Sequence, residues 1–312
     1  MKFDTWVVGL GQMASEYAKV LKKLKIDFIS IGRSKIKSDF SSHHTQVFDK
    51  GLRSFIKINS KPPRYAIVAV NIEQLFTVTY ELINFRCKYI LLEKPGSLSI
   101  KELNKLKNIA KNKGVKIHIA YNRRYYESVN IAKKLYLKNN KILSVQFDFT
   151  EIKSRFIDKF PKRINENWLL CNSSHILDLV FHIIGKPRLI KCNTYGPNFI
   201  GKRKSIFIGN GISVKNIPFS YHSNWSSGGN WSINFMTKTH KIILSPLEEL
   251  KFQQIGKFSI QKHHFKSKDD TEFKPGLKKM IIDFFYHRSK IKLPTIEEQI
   301  ENFRYYKKIG KY

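Results

Sequence analysis

Acidic residues and cysteines are both scarce in this chain of 312 residues. Asp and Glu together number 24 against 57 Lys and Arg, which gives a formal net charge of +33. The three cysteines, Cys87, Cys171 and Cys192, are scattered and form no Cys-x-x-Cys pair. A disulfide framework and a zinc ribbon are therefore excluded, and the cysteine usage predicts a cytoplasmic protein in a reducing compartment.

Long apolar runs are also missing. The candidates Tyr65 to Val70 and Tyr89 to Leu92 have the length of strands and fall far short of the ~20 residues that a membrane helix needs. The first residues, Met1 to Asp4, lead into a short apolar run that ends at glycines, so no signal peptide is expected. The sequence therefore predicts no membrane association.

The positive charge has two interpretations. Basic residues are spread along the whole chain, and the sequence is rich in Lys, Ile, Asn, Phe and Tyr, which A+T-rich codons favour. A general compositional bias accounts for this pattern, and so does selection for an anionic partner. A small anionic substrate satisfies the second interpretation as well as nucleic acid does. Nucleic acid is the less favoured partner, because only the charge suggests it.

The first part of the chain, residues 1–122, alternates short β-type runs with helical ones. This alternation is typical of a parallel sheet with crossover helices, so the sequence predicts a doubly wound α/β domain. The predicted strands are Thr5–Gly9, Asp27–Ile31, Arg64–Val70, Lys88–Leu92 and Val115–Ala120. The predicted helices are Met13–Leu24, Glu73–Phe85 and Ile100–Lys111, the last of them capped by Gly114.

The character of the chain changes after residue 122. Short strands separated by turn residues indicate an antiparallel sheet. We predict a second domain over residues 123–312, of α+β class and built on a largely antiparallel open sheet; packing of its C-terminal helix on the first domain is left open. Its predicted elements are helices 127–137, 169–184, 276–285 and 296–307, a strand at 143–149 and the antiparallel strands within 188–259.

A glycine motif lies between the first predicted strand and the first helix. In Gly9-Leu10-Gly11-Gln12-Met13-Ala14, the first glycine permits a tight turn, the second lets a pyrophosphate approach the backbone, and the alanine allows close helix–strand packing. The helix N-terminus then offers N–H groups to the phosphates. The pattern predicts a dinucleotide site, with an ordinary glycine turn as the alternative. Its predicted residues are Gly9, Gly11, Gln12, Met13, Ala14, Asn71, Glu93 and Lys94.

The end of the second strand predicts which dinucleotide binds. An NAD-binding protein usually has Asp or Glu there, which holds the ribose 2′-hydroxyl and would repel a 2′-phosphate. This chain has Gly32-Arg33-Ser34-Lys35 instead. Arg33 can pair with a phosphate and Ser34 can donate to it, so NADP(H) is predicted rather than NAD(H). A solvated basic turn is the alternative.

Four motifs follow one another along the chain: Gly-x-Gly-x-x-Ala, then Glu93-Lys94-Pro95, then Tyr121-Asn122-Arg123-Arg124, then Ser174-His175-Ile176-Leu177-Asp178. Together they closely resemble the Gfo/Idh/MocA family of sugar and polyol oxidoreductases, over essentially the whole chain. The resemblance implies a Rossmann domain, followed by a domain whose open sheet often forms an oligomer interface. It also implies that Lys94 and His175 are the catalytic residues.

One position departs from that family. Many members carry an Asp four residues before the histidine, and this chain has Cys171 there, followed by Asn172. On an α-helix, Cys171, Asn172, His175 and Asp178 would share one face. We expect Asn172 to bind a sugar hydroxyl in place of the missing carboxylate. The predicted substrate-binding residues are Tyr121, Asn122, Arg123, Trp168, Asn172 and His175.

These features predict an NADP(H)-dependent oxidoreductase that reduces a ketone on a sugar or nucleotide-linked sugar, or oxidises the corresponding alcohol. Lys94 and His175 would hydrogen-bond the carbonyl oxygen, and one of them would supply the proton. The basic segment Lys153 to Asn167 suits an anionic sugar, with a solvated loop as the alternative. A homo-oligomer is expected, and no metal site. A non-catalytic NADP-binding regulator or redox sensor is the alternative function.

Overall fold

The computed structural model describes residues 4–33, 43, 46–138, 140–152, 159–200, 203–287 and 291–312. The chain divides into two compact units. The first comprises Met1–Asn122 and Thr271–Glu301, and the second comprises Arg123–Asp270 and Asn302–Tyr312. One division between these units falls after residue 122. Residues 271–301 are grouped with the first unit, and the C-terminal helix is divided between the two.

Helices and strands alternate in the first part of the chain, as the sequence predicts. The helices are α1 (Gln12–Lys23), α2 (Leu52–Ile58), α3 (Leu75–Asn84), α4 (Ile100–Lys113), α5 (Glu127–Ile131), α6 (Lys162–Glu166), α7 (Ser174–Ile184), α8 (Lys268–Glu272), α9 (Leu277–Tyr286) and α10 (Ile296–Gly310). The strands are β1 (Thr5–Val8), β2 (Ile29–Ile31), β3 (Val47–Phe48), β4 (Tyr65–Val68), β5 (Tyr89–Leu92), β6 (Lys116–Ile119), β7 (Ile142–Phe149), β8 (Pro187–Ile200), β9 (Arg203–Ser213), β10 (Pro218–Asn224), β11 (Trp231–Thr237), β12 (His240–Leu244), β13 (Lys251–Gln254) and β14 (Gln261–Lys262).

The first unit is built on a six-stranded sheet in the order β3-β2-β1-β4-β5-β6, with every pair parallel. Strands β1, β4 and β5 are buried along their whole length, which explains their uninterrupted Val, Ile and Leu runs. The strand order reverses at β1, and such a switch point is where open α/β sheets bind ligands. The predicted Rossmann-type parallel sheet is therefore confirmed.

The second unit is built on an eight-stranded sheet in the order β14-β13-β12-β11-β7-β10-β9-β8. Neighbouring strands are antiparallel except β7 and β10, which are parallel. One face is apolar and aromatic: Phe147 and Phe149 of β7 and Phe235 of β11 are all fully buried. Helix α7 packs against β7. The predicted open, largely antiparallel sheet is confirmed.

Two predicted α-helices of the second unit contain π-helical turns. The helix predicted over 127–137 is α-helical only to Ile131 and continues as a π-helix over Ala132–Leu137. The helix predicted over 169–184 starts with a π-helical turn, Leu169–Ser173, and becomes α-helical at Ser174. Hydrophobic spacing cannot distinguish these turns from an α-helix, because a single turn shifts the side chains by only one residue.

Two further sequence expectations concern a loop and the membrane. Residues 153–158 of the predicted basic loop lie outside the described residues, and the remainder folds in part as α6, where Ile164 and Asn165 are buried. Within the described ranges, no helix is both long and apolar enough to cross a bilayer.

Candidate functional site

The glycine motif forms a sharp turn between β1 and α1. Gly9 has φ +130°, and a Cβ there would come within 2.2 Å of the Ala69 carbonyl oxygen, so only glycine fits. A Cβ at Gly11 would meet no atom within 4 Å. Helix α1 begins at the next residue and has no side-chain cap. Open space therefore lies beside the N–H groups at the start of α1, as binding of a pyrophosphate requires.

This open space belongs to a large cavity of the first unit, with a volume of about 990 Å³. Of the predicted dinucleotide-site residues, Gly9, Gly11, Gln12, Arg33 and Asn71 line it. Met13 and Ala14 do not: Ala14 is fully buried, and the Met13 sulfur lies 3.0 Å from the Lys274 ammonium. The cavity has the position and size that a dinucleotide needs, so the residues present fit a nicotinamide cofactor.

The end of β2 presents Arg33 to the cavity, and no acid stands there. Among the described lining residues the single carboxylate is Glu81, whose Oε1 lies 2.5 Å from the Nε of Arg53. Ser34, the second residue predicted to contact a 2′-phosphate, lies outside the described residues. Sequence reasoning missed Lys50 and Arg53, which also line the cavity. They follow the two-residue strand β3, which is too short to show a period.

Lys94 follows β5 in the first unit, and both of its neighbours are anchored. The Tyr17 hydroxyl donates to Glu93 Oε1 at 2.6 Å, and the Gln299 amide donates to the Pro95 carbonyl at 3.0 Å. Burial, reinforced by the Glu93 charge, raises the pKa of Tyr17, so Tyr17 keeps its proton and remains a donor. Glu93 and Lys94 are not among the residues that line the dinucleotide cavity. The Glu93 side chain is thus held from α1, and the Pro95 carbonyl is held from α10.

Two of the predicted substrate residues, Tyr121 and Asn122, lie at the end of the first segment of the first unit. Tyr121 is fully buried. The Asn122 side-chain amide donates to the Pro275 carbonyl at 2.9 Å. Asn122 therefore ties the end of this segment to the residues just before α9, which belong to the same unit.

In the second unit, consecutive arginines contact two motif residues on α7. The Arg124 guanidinium donates to both carboxylate oxygens of Asp178, from Nε at 2.7 Å and from Nη2 at 2.6 Å. Both side chains of this pair are almost completely buried. Arg123 Nη1 lies 2.8 Å from His175 Nε2. The third motif and the fourth motif are thus brought into direct contact.

The Arg123 contact determines how His175 carries its proton. A guanidinium has donors only, so the His175 Nε2 must accept the hydrogen bond. The imidazole is then neutral, with its proton on Nδ1. The Arg123 guanidinium also lies 5.3 Å from the centre of the Trp231 ring, and that ring is 6.4 Å from the His175 ring. His175 itself is 3% exposed.

Glu151, which sequence reasoning missed, is a buried carboxylate just after β7. Its Oε2 accepts from Trp168 Nε1 at 2.5 Å and from Asn172 Nδ2 at 2.8 Å, and its Oε1 accepts from the Ser173 hydroxyl at 2.6 Å. These three donors lie on or just before the π-helical turn that precedes His175. An acid at the end of an alternating strand, directly before a basic segment, was the available signal.

A second cavity, of about 320 Å³, lies within the second unit. It brings together three predicted substrate residues, Arg123, Trp168 and Asn172, and His175 is not among its lining residues. Two carboxylates and a second indole share the lining: Glu151, Glu248 and Trp231. Indole rings beside amide and carboxylate acceptors suit a polyhydroxylated ring, because the rings pack on its C–H faces and the acceptors bind its hydroxyls.

One sequence-family model matches the first part of the chain. A sequence model described as "Oxidoreductase family, NAD-binding Rossmann fold", of the Gfo/Idh/MocA type, matches residues 3–121. This match covers the first part of the chain and supports its resemblance to the Gfo/Idh/MocA oxidoreductase family. A nicotinamide cofactor is therefore supported. Glucose-6-phosphate 3-dehydrogenase of Bacillus subtilis is 30% identical over 104 residues, which span 31% of this chain and 30% of that relative.

Solved structures share the fold of the whole chain. UDP-N-acetylglucosamine 3-dehydrogenase of Acidithiobacillus ferrooxidans has a TM-score of 0.74 at 10% identity, with 98% of this chain and 95% of the other covered. A dehydrogenase of Clostridium difficile has a TM-score of 0.79 at 17% identity, with 98% of this chain and 97% of the other covered. A super-repressor mutant of Gal80p from Saccharomyces cerevisiae has a TM-score of 0.77 at 14% identity, with 98% of this chain and 94% of the other covered.

Cys171, where the sequence departs from many Gfo/Idh/MocA members, does not line the second cavity. Cys171 is 2% exposed, and its thiol lies 3.7 Å from the Ile164 carbonyl oxygen. The expectation that Cys171 and Asn172 share one face with His175 assumed an α-helix, and the π-helical turn Leu169–Ser173 changes that register. Asn172 lines the cavity, whereas Cys171 is turned into the core.

Proposed function

We propose that this chain is an NADP(H)-dependent oxidoreductase that reduces a ketone on a sugar or nucleotide-linked sugar, or oxidises the alcohol in the reverse direction. The observation that carries the proposal is the dinucleotide cavity. It is lined by Gly9, Gly11 and Gln12 near the start of α1 and by Arg33 after β2, where no acid stands. The two sugar 3-dehydrogenases named above support a sugar as the substrate.

When bound, NADPH supplies the hydride that the carbonyl carbon accepts. In this proposal Lys94 and His175 hydrogen-bond the carbonyl oxygen, which becomes an alkoxide as the carbon is reduced. With Nε2 occupied by Arg123, His175 is a neutral imidazole and hence a poor acid. This arrangement favours the Lys94 ammonium as the proton donor, with His175 orienting the oxygen.

The second-unit cavity accommodates the sugar ring in this proposal. Trp168 and Asn172 are both held by Glu151, so they present fixed contacts to a hydroxylated ring. Glu151 and Glu248 would repel a phosphate, whereas Arg123 would attract one. We therefore assign the uncharged ring to this cavity. Any anionic part of the substrate binds outside it.

Copies of the chain would associate through the open sheet of the second unit. Leu189 and Tyr195 of β8 and Ile208 of β9 are exposed apolar residues on this sheet. A cytoplasmic location agrees with three buried cysteines that form no disulfide. Light scattering coupled to gel filtration measures the oligomeric state. A monomer at all concentrations would contradict the proposed association.

Two measurements test the proposed activity. Titration with NADPH and NADH, followed by nicotinamide fluorescence, should show a clear preference for NADPH. Protein incubated with NADP⁺ and either UDP-N-acetylglucosamine or glucose 6-phosphate should then form NADPH with at least one of them. Lys94→Met should lower turnover by about 10²–10⁴-fold, the usual contribution of a general acid or base. Lys101→Met, an exposed lysine of α4, is the matched control and should change nothing.

The likeness to Gal80p supports a second candidate, a regulator that binds NADP without catalysis. This candidate predicts NADPH binding with no turnover of either sugar and no effect of Lys94→Met on any rate. Binding of neither dinucleotide would overturn both candidates.

A further inference from the structure

Three basic side chains line the dinucleotide cavity where β2 and β3 end. Arg33 follows β2, and Lys50 and Arg53 follow β3. The two chain segments are tied by backbone hydrogen bonds: the Gly32 N–H donates to the Phe48 carbonyl at 2.9 Å, and the Gly51 N–H donates to the Gly32 carbonyl at 2.6 Å. The side chains of Arg33 and Lys50 thus extend from two adjacent backbone segments that are hydrogen-bonded to each other.

Arg53 is already engaged. Its Nε lies 2.5 Å from Glu81 Oε1, so its positive charge is balanced by a carboxylate that lines the same cavity. An incoming phosphate would have to compete with that carboxylate. Arg33 and Lys50 are therefore the basic residues of this group better suited to bind an anion.

Gly51 allows Arg33 to lie beside Lys50. Its φ is +85°, and a Cβ there would lie 3.2 Å from the Arg33 Cγ. A side chain at position 51 would strain the backbone and press on the aliphatic stem of Arg33. With glycine in place, the stem passes over the backbone next to Lys50.

We propose that Lys50 is a second ligand of the 2′-phosphate of NADP(H) and a determinant of its selectivity over NAD(H). The inference rests on the proposed function, in which Arg33 binds that phosphate. Arginine provides a planar fork of donors, whereas lysine adds a compact charge. A phosphate monoester with close to two negative charges suits both together. The uncharged 2′-hydroxyl of NAD(H) would gain nothing from Lys50.

The test compares dissociation constants for NADPH and NADH among single variants. Lys50→Ala should weaken NADPH binding by about tenfold, the effect of losing one charge-assisted hydrogen bond, and leave NADH binding within about twofold. Lys50→Arg should retain the preference. Lys57→Ala, which removes an exposed lysine of α2 outside the cavity, is the matched control. It should not change the ratio of the two constants.

Competition with 2′,5′-ADP and 5′-AMP gives a second readout, because only the first carries the 2′-phosphate. Lys50→Ala should weaken 2′,5′-ADP alone. Equal losses for NADPH and NADH would overturn the inference, since the lysine would then contribute only a general charge. The inference would also be overturned if Lys50→Ala bound NADPH as tightly as the unmodified protein while Arg33→Ala bound it much more weakly. That result would leave the proposed function standing. Equal affinity of the unmodified protein for both dinucleotides would overturn both.

Discussion

The buried ion pair between Arg124 and Asp178 offers the sharpest test of the packing around α7. In Asp178→Asn, the guanidinium keeps its burial, with a side chain only 6% exposed, but loses the charge that faces it through two hydrogen bonds. Removing one partner of a buried pair costs about 3–5 kcal/mol, because the remaining charge stays in a medium that solvates it poorly. We expect a loss of at least about 3 kcal/mol in the free energy of unfolding of the second unit.

Urea unfolding followed by tryptophan fluorescence measures this loss. Three of the four tryptophans, Trp168, Trp225 and Trp231, lie in the second unit, so the signal reports mainly on it. Glu249→Gln is the matched control in the same unit: Glu249 pairs with Lys251 and Lys262 at the surface, and its loss should leave the midpoint nearly unchanged. A loss below about 1 kcal/mol for Asp178→Asn would show that water reaches the pair and would refute the reasoning.

Four further outcomes follow from the structure. Gly9→Ala should weaken dinucleotide binding and lower the melting temperature, because its Cβ meets the Ala69 carbonyl; an unchanged melting temperature would contradict this. Glu151→Gln should destabilise the second unit by about 1–3 kcal/mol, as measured in urea, because the buried donors lose a charged acceptor. Burial lowers the pKa of His118, so stability should fall as pH drops below about 6.5, where the unfolded chain takes up a proton that the folded chain excludes. In His118→Gln, the melting temperature should depend less on pH below about 6.5. An unchanged pH dependence in this variant would contradict the prediction. Cys87, Cys171 and Cys192 are buried, so a thiol reagent should label them quickly only after denaturation.

The parallel sheet could be predicted from the sequence because its central strands are buried on both faces. Continuous apolar runs such as Tyr65 to Val68, each followed by a helical pattern, leave few other folds. The turn at Gly9 was likewise predictable, since its residue types report directly on backbone geometry. Strand β3 was not predictable: with two residues it has no period, and its position depends on pairing with β2.

The candidate site was predictable only in part. Motif spacing pointed to Lys94 and His175 but could not show that Arg123 would contact the imidazole. Nor could it show the role of Glu151, which lies 21 residues before Asn172 in the chain and meets it only through folding. The π-helical turn could not be predicted from the sequence for the same reason. Its geometry depends on contacts with distant residues, which no local pattern of apolar residues records.

Arg123 and Arg124 together fix the rotation of α7 about its own axis. They are consecutive in a short 3-10 segment, and their partners His175 and Asp178 are three residues apart on the helix. A residue inserted or deleted between those partners would turn one of them away by about 100°. The orientation of the His175 imidazole is thus coupled to that of the buried Asp178 carboxylate, one turn along the same helix. A rotation of the helix that breaks one of these contacts also disturbs the other.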